Sequence, residues 1–159
     1  MGEFSSGVEG VLENMTELIT TAVITASSIL LFGYWFRYTC LLILSTRTAR
    51  DYVGDVAAAH QLGFLEVQSR LRDGSPEFDR LRDALDRDYA VLARILKNST
   101  HSGMEERMLG IDYRFMSAWY RISSRFSPAA ARRALEEMSM VVAHFANAMG
   151  ERAAGAAAA

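Results

Sequence analysis

Three histidines, His60, His101 and His144, are the only imidazoles, and none has a glutamate three residues before it. A di-iron helical bundle requires that Glu-x-x-His pairing on two helices, so this chemistry is not expected. Glu137 and His144 lie two helical turns apart and could share a face, but they supply too few ligands for a metal. The serines cluster at helix starts rather than beside a histidine and an acid, and the glycines form no phosphate loop. Cys40 is the only cysteine, which excludes an intrachain disulfide or a cysteine-based zinc site. Paired acids such as Asp86 and Asp88, or Glu136 and Glu137, fit solvated helix faces. The expectation is a protein that is not an enzyme and carries no cofactor.

Arginine is patterned more distinctly. Arg80, Arg87 and Arg94 recur at seven-residue intervals, as do Arg107, Arg114 and Arg121. On packed helices such rows flank the apolar seam, where they meet acids such as Asp79, Asp83, Asp86 or Asp112. They are also the candidate partner-binding or anionic-lipid residues. Asp precedes Tyr three times, at Tyr52, Tyr89 and Tyr113, with unequal intervals that argue against a repeat. Phenols at the boundary of a helical core are the simpler account.

The elements that must position these residues begin with an apolar segment. Residues 18–36 are nineteen consecutive positions without a charge, and residues 18–45 are broken only by Arg37. About 20 apolar residues cross a bilayer, so a single transmembrane helix over 18–45 is expected. Tyr34, Trp35, Phe36 and Tyr38 around Arg37 form an aromatic belt, with Arg37 at the second interface or at a subunit contact. No basic residue precedes the span, while Arg37, Arg47 and Arg50 lie in or after it. The positive-inside rule then puts the short acidic residues 1–17 outside and the C-terminal part in the cytoplasm, in a bacterial inner membrane. An acidic start also argues against a cleaved signal peptide.

Beyond the span the apolar period becomes helical. Val53, Val56, His60, Phe64, Val67 and Leu71 alternate by three and four, which predicts a packed face on one helix running unbroken from the membrane to Asp73, with Gly54 and Gly63 its weak points. Gly74, Ser75 and Pro76 then stop one helix and open the next. Phe78, Leu81, Leu85, Leu92 and Ile95, with Tyr89 beside them, predict the second core face. Ser102 and Glu105 read as a capping box for a third helix. There Met108, Ile111, Phe115, Trp119, Ile122 and Phe126 predict the core, with Leu109, Met116 and Tyr120 as surplus apolar residues. Ser127 and Pro128 open a fourth, with Leu135, Met138, Val142, Phe145 and Met149 inward and Val141 surplus. Residues 151–159 read as a flexible alanine-rich tail.

Four helical segments of similar length with short connections predict an all-α protein: one transmembrane helix continuing into an antiparallel four-helix bundle over residues 46–150. Residues 46–159 carry 16 basic and 15 acidic side chains, so no basic field exists to hold nucleic acid. The expected function is a membrane-anchored helical subunit or adaptor that docks partners through its span and its bundle, with the bilayer, other membrane subunits or a second copy as partners. The alternative is a membrane-bound sensor that transmits through a continuous first helix.

Overall fold

The computed structural model describes residues 3–46, 51–74, 77–98 and 103–158, and within these every regular element is helical. The helices are α1 (Glu3–Ser45), α2 (Val53–His60), α3 (Phe64–Arg72), α4 (Phe78–Asn98), α5 (Met104–Ser123) and α6 (Pro128–Ala158). The chain divides into two compact units, residues 1–39 and residues 40–159.

In the first unit, α1 is free of charge on every side from Leu18 to Phe36 rather than along one stripe. Its stretch Asn14–Ser45 is long and apolar enough to cross a membrane; residues 14–35 are exposed throughout, and Cys40 further on is buried. At 1.5 Å per residue, 32 residues reach about 48 Å, more than the ~30 Å of a hydrocarbon core. Thr20, Thr25 and Ser28 turn their hydroxyls back onto the carbonyls of Thr16, Thr21 and Ile24 at 2.7–2.8 Å, so none of these polar groups needs water.

In the second unit α6 is the hub, packing against α5, α4, α2 and α3. It can do so because its apolar residues are not confined to one seam. Ala131, Ala134, Leu135, Met138, Val141, Val142, Phe145 and Ala146 are all buried. Leu85 and Leu92 from α4, Leu109 from α5, and Phe64 and Leu71 from α3 complete the interior. Ser127 Oγ accepts the amide of Ala130 at 3.3 Å, which caps α6 as its Ser-Pro start predicts. Gly74 sits at φ +76° after α3, the left-handed position that its sequence context predicts.

Four expectations are corrected. The first soluble helix does not run unbroken to Asp73: it stops at His60, Gln61 takes φ 52°, and the amide of Leu62 donates to Ala57 O at 2.9 Å. This break turns His60 outward, so the histidine expected in the packed face is exposed, while Phe64, Val67 and Leu71 stay buried. On α5 the core and the surplus exchange places. Leu109, Tyr113, Met116 and Tyr120 are buried, and Ile111, Phe115, Trp119, Ile122 and, just beyond α5, Phe126 are exposed. The cap of α5 lies one residue later than expected, with the amide of Gly103 donating to Glu106 Oε2 at 3.2 Å; Ser102 lies outside the described residues, as do Ser75 and Pro76. Helix α6 extends to Ala158, through most of the stretch expected to be a flexible tail.

Candidate functional site

The α4–α5 pair carries the densest polar chemistry. Tyr113 donates to Asp86 Oδ1 at 2.8 Å, and Tyr120 donates to Asp79 Oδ1 at 2.9 Å. Both tyrosines and both aspartates are seven residues apart, in opposite chain directions, so the two bonds repeat one contact along an antiparallel register. Tyr89 stacks on Tyr113 with ring centroids 3.9 Å apart and on Phe145 at 5.7 Å. Gly110 makes room for this: a Cβ there would come within 3.1 Å of the Tyr89 hydroxyl. Burial, with the Asp86 carboxylate accepting its proton, raises the Tyr113 phenol far above its usual range. Burial and Asp79 push Tyr120 up to about 12. These phenols stay protonated at any physiological pH and act as donors, not as bases.

Among the described residues, Asp79, Asp83 and Asp86 form no ion pair with the arginine rows expected to meet them. Arg82 takes that place, 2.9 Å from Asp83 and 3.5 Å from Asp86, with its guanidinium 5.8 Å from the Tyr120 ring centre. Arg80, Arg87 and Arg94 are exposed on α4, Arg80 pairing with Glu77 at 3.2 Å, and Arg107, Arg114 and Arg121 are exposed on α5. Two open grooves of about 280 and 350 Å³ follow the α4–α5 pair; Tyr89 and Arg114 line both.

Asp88 has a different task. It is buried beside the backbone amides of Gly63 and Phe64, which open α3, and its Oδ2 has no hydrogen-bond partner among the described residues. Desolvation raises its pKa, with those two amides and Arg87 opposing. It therefore brings a carboxylate from a neighbouring helix to the α3 start, the end of a helix that favours negative charge. Asp51 does similar work locally, accepting the amide of Val53 at 3.0 Å. Two of the three Asp-Tyr pairs thus support helix starts, a role visible only once the termini are in place.

A second polar cluster joins the starts of α2 and α5 to α6 around a cavity of about 600 Å³. Asn147 Oδ1 accepts the amide of Tyr52 at 2.9 Å, and its Nδ2 donates to Glu151 at 3.3 Å. Arg152 pairs with Glu106, which also caps α5. His144 lines this cavity, half-buried, and burial lowers its pKa while Glu105, Glu106 and Glu151 pull the other way. A neutral imidazole is a competent base, but among the described residues no serine or cysteine lines the cavity with it. Among the described residues no group of three His, Cys, Asp or Glu could hold a metal ion. Glu106, Asn147 and Arg152 are engaged in joining helices.

In the first unit, Tyr34, Trp35 and Tyr38 are exposed and Phe36 and Arg37 are half-buried. Phe32 and Phe36 stack with centroids 6.5 Å apart. Sequence reasoning named Asp79 and Asp86 as partners of the arginine rows rather than of Tyr120 and Tyr113. Their matching seven-residue intervals were the available signal. No family model, curated protein or solved structure matches this chain, so its function rests on the geometry of these helices.

Proposed function

We propose that the chain is a non-enzymatic, membrane-anchored helical subunit or adaptor. Helix α1 crosses a bacterial inner membrane once, with residues 1–17 outside, and the later helices form a cytoplasmic antiparallel bundle that docks partner proteins. The observation that carries this reading is the division of apolar surface. The apolar stretch is left exposed throughout residues 14–35, while the second unit closes its own core around α6. A helix of that length exposed to water costs far more than the same helix in lipid. The polar clusters support a docking role because their side chains hold helices in register. The break at Gln61 counts against a transmitter that works through one continuous helix.

The test is expression of the full chain in bacteria, alkaline carbonate extraction of the membranes, and affinity purification in mild detergent. The chain is expected to resist carbonate, to be released by detergent, and to carry companions in fixed ratio. Recovery in the soluble fraction would refute the anchor, and recovery of the pure chain alone would refute the adaptor.

A further inference from the structure

Outside α1, the largest apolar surface left open among the described residues follows α5. Met104, Ile111, Phe115, Trp119, Ile122 and Phe126 are 79, 57, 58, 46, 56 and 82 % exposed. At 100° per residue, those within the helix fall in an arc of about 80°, and Phe126 continues the row in the turn beyond. With roughly 150–250 Å² per full aromatic side chain, the stripe exceeds about 600 Å², the upper end of what an ordinary monomer leaves open. Arg107, Arg114, Arg121 and Arg125 run along one edge, all exposed, and none makes an ion pair with a described carboxylate. The nearby α4 acids are engaged: Asp79 by Tyr120, Asp83 by Arg82, Asp86 by Tyr113 and Arg82. The opposite edge turns into the core at Asp112, Met116 and Ser123.

We propose that this face of α5 docks on an anionic phospholipid surface. The aromatic and aliphatic side chains enter the headgroup–acyl boundary, and the arginine row holds lipid phosphates. The inference rests on the membrane-anchored reading and adds a second membrane contact, of stated chemistry, to it. Charge decides between the candidate occupants. In a symmetric antiparallel pairing of two α5 faces, the arginine edge of one copy meets the arginine edge of the other, which repels. A surface with an apolar interior and negative headgroups complements both parts of the face. The end of the apolar run belongs to the same compact unit as α5, where Cys40 Sγ lies 4.0 Å from Met108 O.

Trp35 and Trp119 are the only tryptophans, so each can report alone in the full chain. The W35F chain is reconstituted into vesicles of phosphatidylcholine with brominated acyl chains, with or without about a third phosphatidylglycerol. Trp119 emission is expected to fall roughly two-fold further in the anionic vesicles, and the R114E/R121E variant to lose that difference. The W119F chain, reporting from Trp35, runs in parallel. If Trp35 is quenched while Trp119 is untouched in both vesicle types, the docking face is wrong and the anchor stands. If neither is quenched, the anchored reading fails and takes this inference with it. If Trp119 escapes bromine but shifts to the blue as the protein-to-lipid ratio rises, the face pairs with a second copy and the lipid proposal is overturned.

Discussion

At the scale of single residues, Gly150 and His144 show how placement sets the sign of an effect. In an isolated helix, alanine for glycine gains about 1 kcal/mol. In α6, however, a Cβ on Gly150 would meet Tyr52 Cγ at 2.8 Å and Val56 Cγ2 at 3.3 Å, close to the α2 backbone. G150A is therefore expected to destabilise by about 1–3 kcal/mol, read as a lowered urea midpoint at unchanged slope. His144 is lowered by burial, so the unfolded chain binds its proton more readily than the folded one. Stability from this group is complete above its ordinary range near 6.5 and is lost as pH falls through that range toward the depressed folded value. H144Q should flatten the slope of unfolding free energy between about pH 7 and 5 relative to the parent. Asp88, raised by desolvation, contributes with the opposite sign and nearer the acid end. An unchanged slope in H144Q would contradict the buried placement of the imidazole.

At the scale of elements, α5 has two apolar stripes on adjoining faces, and only one meets the core. Truncation should separate them. L109A and M116A remove fully or nearly fully buried side chains and should each cost about 2–5 kcal/mol. F115A and W119A act on exposed side chains and should stay within about 1 kcal/mol in detergent solution. The reverse ranking, measured by chemical denaturation, would return the core to the stripe that simple periodicity favours. The α4–α5 register has its own signature. Y113F and Y120F each remove one hydroxyl donor to a part-exposed carboxylate, worth about 1 kcal/mol apiece.

At the scale of the whole molecule, the prediction is topology. In a C40A background, single cysteines at Ser6 and at Ser69, which is exposed on α3, should differ in intact cells. An impermeant maleimide is expected to label S6C and to reach S69C only after lysis, because the arginines lie within and after the span. Labelling of S69C alone in intact cells would invert the orientation.

Fold class and punctuation were legible in the sequence because they are local. Helical spacing, the Ser-Pro start of α6 and the glycine after α3 depend on a few neighbouring residues, and so does the unbroken apolar run of α1. The inward faces of α4 and α6 were legible too, since Leu81, Leu85 and Leu92, or Leu135, Met138, Val142 and Phe145, are the dominant apolar set on each helix. On α5 two sets compete. Phe115 and Trp119 are the more apolar choice, yet Tyr113 and Tyr120 are buried because Asp86 and Asp79 on a neighbouring helix satisfy their hydroxyls. The helix break at Gln61 is likewise hidden from periodicity, because the three-and-four spacing runs on through His60 to Phe64. Periodicity ranks faces by their own polarity. Which face is buried depends on polar partners supplied from distant segments, and only tertiary structure brings those partners together.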